Sequence, residues 1–307
     1  MHPKTKPSTT QALTFLITPM MLGGISLWLF GFGSTLTYWS GTLLLSFFFV
    51  QTFILLHECA HLQFFVSRRT NIVVGNLMGL LSGIPFVTWQ QMHNLHHKWT
   101  GWRDLDPTTE KTVEPSDSPL MRWVANICWL LFIPIFYLVY VVSNYWNIIK
   151  IRRFVVPGAL RSSVVSITVY ALFYIVAFVL FSPFILHYLL PAFGLSCVWK
   201  ELIILTQHSH IEIPVSGGDP VRPLPYSDQI PYTRSFRTNS FIARYFLFNF
   251  NLHQAHHAYP GLPAYCLDMV EVEDDTIPTY AEWFRQAKSL KGEDYIFRTS
   301  KHTGKKF

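Results

Sequence analysis

The chain has 307 residues, half of them hydrophobic and only 14% charged, with a formal net charge of +6. Soluble proteins carry about 25% charged residues, so the composition excludes an ordinary soluble domain. It predicts a single all-α integral membrane unit, because several apolar runs approach the roughly 20 residues that a helix needs to cross a bilayer.

The N-terminal MHPKTKPSTTQ leads into a full-length apolar run with no small-residue cleavage site, so no secretory signal is expected. Runs at 11–32 and 36–56, joined by a short Gly/Ser/Thr turn, predict a first helical hairpin. Lys4 and Lys6 precede it, and Arg68 and Arg69 follow it. Positive charge concentrates on the cytoplasmic side of membrane proteins, which places both flanks there. The runs at 72–87 and 123–142 are interrupted by Pro85 and Pro134. A crossing by 123–142 would carry Arg152, Arg153 and Arg161 to the outer side, so both runs are expected to be embedded without spanning. Runs at 162–181 and 184–205, parted by Ser182 and Pro183, predict a second hairpin. The expected architecture is four transmembrane helices in two hairpins under a cytoplasmic helical cap, with both termini cytoplasmic and a polar tail at 258–307. The GNLMG at 75–79 fits a G-x-x-x-G helix-contact pattern. Cys59, Cys128, Cys197 and Cys266 lie in or beside apolar runs without a CxxC and read as small buried hydrophobes. No long basic stripe or recognition motif points to nucleic acid.

Of thirteen histidines, His2, His187 and His302 are scattered. The other ten form HECAH (His57, His61), HNLHH (His93, His96, His97), QHSH (His208, His210) and HQAHH (His253, His256, His257). All four groups fall at the expected cytoplasmic boundary. Residues at i, i+3 and i+4 share a helix face, so each H-x-x-H-H presents three imidazoles to one side. A structural zinc closes with four ligands and a catalytic zinc takes three from the protein. The set is too large for one ion and suits two first-row metals, iron as well as zinc. HECAH also spells the H-E-x-x-H of zinc proteases, in which Glu58 would activate water. That reading needs His57, His61 and one more ligand, and leaves eight clustered histidines without a role. A non-enzymatic metal carrier would need a polar path through spans that hold few ionisable residues.

With these boxes the sequence resembles the membrane fatty acid desaturase and hydroxylase superfamily, and within it the Δ12-type acyl-lipid desaturases. The matching text is HECAH, VGNLMGLLSGIPFVTWQQMHNLHHKWTG, TQHSHIEIP and HQAHHAYPGLPAY, spread over most of 36–265. The resemblance implies an O2-dependent enzyme that inserts a double bond into an acyl chain at a non-haem centre of two iron ions (Fe2+/Fe3+). The implied ligands are His57, His61, His93, His96, His97, His253, His256 and His257. A ninth would come from the region before the last box, His208 first, since it continues the preceding helix, and His210 as the alternative. Asp104 and Asp106, in GWRDLDP, resemble acidic positions of relatives and would orient ligand rings. Glu58 becomes a neighbour of the metals, not a general base. Carotenoid or acyl-chain hydroxylases and ketolases of the same superfamily share the pattern and are the alternative.

An unactivated methylene has no acidic proton, so the protein's part is to position the chain and tune the metals. No CxxC redox site, GxGxxG or HPGG segment is present, which implies a separate electron donor, ferredoxin or cytochrome b5 with its reductase. A compact chain without a fused donor favours a bacterial inner membrane over the endoplasmic reticulum. The acyl substrate would lie in an apolar tunnel. Trp89, Trp99 and Trp102 around the second box read as an interfacial belt or as its lining, and FIARYFLFNF at 241–250 reads as an interfacial helix.

Overall fold

The computed structural model describes residues 6–110, 118–270, 272 and 277–307. Lys4 and His2 lie outside them. The described residues are helical, and their single β pairing is an isolated bridge between Arg237 and Thr279.

Ser8 and Ser34 cap the first two helices, each side chain accepting a backbone N–H three residues on. Helix α1 (Thr9–Phe30) and α2 (Thr35–Ala60) turn through Gly33, whose positive φ of 66° suits a residue without a Cβ. Close approach holds the hairpin together: a Cβ on Gly41 would sit 2.8 Å from the Phe30 ring. From Phe49 to Ala60 every α2 residue is buried, so α2 is the central post of the fold.

Helix α3 (Arg68–Ser82) ends at Gly83, and α4 (Phe86–Trp99) starts after Pro85, with a bend of 99° between them. Gly75 and Gly79 let α3 close down. A Cβ on Gly75 would overlap the Phe86 ring, and one on Gly79 would meet the Tyr170 hydroxyl at 2.6 Å. Helix α5 (Pro119–Leu130) and α6 (Ile135–Val141) meet at a second bend of 111°, where Phe132 takes a left-handed φ of 57° just before Pro134. Both prolines thus break their runs, as backbone without an N–H dictates.

After α7 (Ile148–Phe154) come α8 (Pro157–Phe184) and α9 (Leu190–His208), with one non-helical residue, Phe181. This 52-residue stretch is long and apolar. Near its start Ala159 accepts from the Gln91 amide, and at its end the His208 ring packs on His96, both on α4. A straight helix of this length would run about 78 Å, so the chain doubles back within the stretch. Tyr38 Oη donates to the His187 carbonyl at the far end, 2.7 Å away. By length and composition three helices could cross a membrane, or up to five if each bent pair is one span.

The remainder caps one end: α10 (His253–Ala258), α11 (Tyr280–Lys288), α12 (Gly292–Phe297) and α13 (Ser300–Thr303). Two clamps fix this cap. Tyr265 Oη donates to Phe64 O and accepts from Ser8 N, tying the segment after α10 to the starts of α1 and α3. Gly292 packs directly on Ala125 and Trp129 of α5.

Candidate metal centre

Helical spacing and the cap bring nine histidines into two adjoining groups. His57, His61, His93, His97 and His256 form one; His96, His208, His253 and His257 form the other. Within each group one nitrogen per residue lies within 4.8 Å of all the others. The H-x-x-H-H boxes do not serve one group each. His93 and His97 face the first group while His96 faces the second, and His256 is likewise separated from His253 and His257. Seven of the nine rings are buried, and His61 and His208 are half-buried.

The ring nitrogens fit metal ligation. Four Nδ1 atoms meet oxygens: His57 on Glu58 (3.0 Å), His96 on Asp106 (2.7 Å), His208 on the Tyr232 carbonyl (3.1 Å) and His257 on Gln229 Oε1 (3.0 Å). Carbonyl oxygens and an ionised Asp106 can only accept, so at His96, His208 and His257 Nδ1 carries the proton and Nε2 keeps its lone pair. His57 Nε2 is buried and has no hydrogen-bond partner. His208 Nε2 and His257 Nε2 approach His253 Nε2 at 2.9 and 3.1 Å. One imidazole proton cannot satisfy both, whereas a cation between the rings would. Burial, reinforced by the other imidazoles, pushes His253, His256 and His257 well below the usual histidine range. Neutral rings are the ligating form.

Asp106 is buried, which by itself raises its carboxyl. Contact with His96 and the Thr108 N–H outweighs that and holds the group below the usual range. Asp104 does something else: its two oxygens accept the Ser216 N–H and Oγ–H, pinning the 211–219 loop, and it reaches no ring. His210 also stays apart. Its Nε2 pairs with Thr303 Oγ1 at 2.7 Å, and the ring stacks on Tyr295 and Phe307. Glu58 spends its oxygens on His57 Nδ1 and Ala264 N–H, which leaves it poorly placed to activate water as a protease base.

Beside the two groups lies a cavity of about 380 Å³, walled at the histidine end by Phe53, Trp89, Tyr137 and Phe250. His57, His93, His96, His208 and His253 border it. Trp89 is thus lining, stacked on His93, while Trp102 reaches out to the Arg222 carbonyl.

The family model described as "Fatty acid desaturase" matches residues 33–287. The chain belongs to the fatty acid desaturase family. Among its relatives, it is 40% identical over 50 residues to a "Fatty acid desaturase" of Bacillus subtilis (strain 168), 16% of this chain. It is 22% identical over 307 residues, 92% of the chain, to an "sn-1 acyl-lipid omega-3 desaturase (ferredoxin)" of Nostoc sp. (strain 36). It is 26% identical over 251 residues, 74% of the chain, to an "sn-1 oleoyl-lipid 12-desaturase" of a Picosynechococcus species. The matched stretches span 14%, 79% and 65% of those three relatives' own lengths.

For a desaturase-family chain, sequence reasoning missed Gln229. It is fully buried, and it donates from Nε2 to the His97 carbonyl at 2.7 Å while its Oε1 faces His257. Its segment, PLPYSDQIPY, is irregular and proline-rich, so no periodicity marks it.

Proposed function

We propose that the chain is an O2-dependent diiron desaturase that inserts a double bond into an acyl chain of a membrane lipid. The observation that carries this reading is the contact of both histidine groups with one apolar cavity. Iron held by His57, His61, His93, His97 and His256, and by His96, His208, His253 and His257, supplies with O2 the power to break unactivated C–H bonds. The chain's own residues position and protect. Phe53, Trp89, Tyr137 and Phe250 line the histidine end and keep bulk water from it. Glu58, Asp106, Gln229 and the Tyr232 carbonyl fix the orientation of four rings. Electrons come from a separate donor, ferredoxin or cytochrome b5 with its reductase.

In the membrane, α1, α2 and the two arms of Pro157–His208 form the four spans. The bent pairs are embedded without crossing, and both termini and the histidines are cytoplasmic. Arg68, Arg69, Arg152, Arg153 and Arg161 flank the spans on the histidine side, which supports that orientation. The host membrane is a bacterial inner membrane.

The test is a mass-spectrometric profile of fatty acids and added carotenoids in a host expressing the chain with a donor system, against the same host expressing His93→Ala. A new unsaturated acyl chain made only by the intact protein is expected. A hydroxy or keto product instead would reassign the reaction, and no product from a folded, iron-loaded protein would overturn the substrate class.

A further inference from the structure

Away from the histidines, the cavity changes character. Its wall there comes from α5 and α6, through Met121, Val124 and Ala125 on one side and Ile135, Phe136 and Val139 on the other. Met121 and Val139 are also on the outer surface, 56% and 57% exposed. The same surface continues through Leu120, Leu130, Leu131, Leu138 and Val142, all exposed and apolar. So continuous an apolar face belongs in lipid. Beside Met121 stand half-buried Arg122 and exposed Trp123, the pair of side chains that anchors a helix at headgroup depth. Among the described residues, the Arg122 guanidinium pairs with Glu293 at 3.8 Å.

We propose that the cavity is filled sideways from the bilayer: one acyl chain of a diacyl lipid enters between α5 and α6, past a rim of Met121, Val124 and Val139, while Arg122 faces the lipid's phosphate. The proposal rests on the reading of the cavity as the acyl site. A further observation favours a lipid over a water-soluble acyl thioester on a polyanionic carrier. The cations on the cavity's polar sides are already committed: Lys150 pairs with Glu110 at 3.1 Å, and Arg298 with Asp294 at 3.4 Å. The bend that separates α5 from α6 is also fixed. The buried Glu201 carboxylate, itself a wall residue, accepts the Tyr137 N–H at 3.0 Å and ties α6 to α9. The opening is therefore held between two braced helices.

The experiment reads occupancy and not turnover. The full chain is reconstituted in phosphatidylcholine nanodiscs containing a phosphatidylcholine with a mid-chain diazirine, irradiated, and the labelled peptides are identified by mass spectrometry. Label is expected on α5, α6 and the inner wall residue Ile204. The double substitution Met121→Trp, Val139→Trp should lower label at Ile204 by about tenfold, a loss equivalent to about 1.4 kcal/mol. Leu172→Trp, on the exposed face of α8, should leave it unchanged. Met121→Glu, which puts a carboxylate at the rim, provides a second variant and should act in the same direction. Unchanged label at Ile204 in the rim variants would overturn the proposal. So would label there from a soluble acyl thioester carrying the same diazirine but none from the lipid. Labelling without any desaturation would keep the doorway and remove the reaction.

Discussion

His96 Nδ1 and Asp106 Oδ2 are 2.7 Å apart, both buried, and among the described residues this is the one place where a ring of the four-histidine group meets a carboxylate. The pair defines the histidine's tautomer and makes its outward nitrogen a better donor to a metal. Asp106→Ala is therefore expected to weaken metal binding by roughly 10–100-fold, read as metal content after dialysis against a graded chelator. The sign with pH follows from the lowered carboxyl. The stabilisation is present above the ordinary aspartate value and disappears as pH falls through the folded one. Melting curves of the intact protein and Asp106→Asn should converge as pH drops from 7 to below the ordinary aspartate value of about 3.9. A constant gap across that range would show that the carboxylate's charge is not what matters.

Gln229 ties the two groups by its two ends, donating to the His97 carbonyl and accepting from His257. Gln229→Leu strands two buried polar partners, at a cost of about 1–3 kcal/mol each. Gln229→Glu retains the acceptor for His257 and loses the donor to His97. Metal content should fall in the order intact, Glu, Leu, with melting temperature following it. Equal loss in both variants would mean that the contact with His257 contributes nothing.

The histidines were legible because chemistry and period coincide: i, i+3, i+4 spacing fixes a shared face without any tertiary information. Their distribution between two groups was not. It depends on how α4 and α10 cross, and a face that reads as one surface in sequence is divided between two neighbours in space. The hairpin at 11–56 and the proline breaks could be read from local rules. Asp104 and Asp106 were equivalent in sequence, two acids two residues apart, yet the turn after α4 sends Asp106 to His96 and Asp104 to Ser216. Gln229 gave no signal because its role arises only when the 226–232 turn docks on α10.

The GNLMG segment carries more weight in the fold than its short run suggests. Tyr170 Oη lies over Gly79, donating to the Asn76 carbonyl at 2.8 Å, so α8 rests on α3 at this point. A methyl at Gly79 would also lie 2.7 Å from the Ile84 carbonyl. Gly79→Ala should destabilise by about 1–3 kcal/mol through overpacking, seen as a lower melting temperature in detergent. Gly24→Ala has nothing within 4 Å of the new atom and should be neutral or slightly stabilising. Similar behaviour of the two would remove the contact from the account of the fold.

His208 and His210 are two residues apart and offer the sharpest comparison. The first ends α9 with its Nε2 2.9 Å from His253 Nε2 and its Nδ1 on the Tyr232 carbonyl. The second sits at a left-handed φ of 63°, turned towards the C-terminal helices, where Thr303, Tyr295 and Phe307 hold it. His208→Ala should empty the four-histidine position, lowering metal content and abolishing any acyl product. His210→Ala should leave metal content unchanged and loosen the C-terminal segment, detectable as faster proteolysis after residue 290. Metal loss in His210→Ala with a normal His208→Ala would reverse the assignment, since only a ligand, and not a packing residue, removes an ion without first loosening the chain around it.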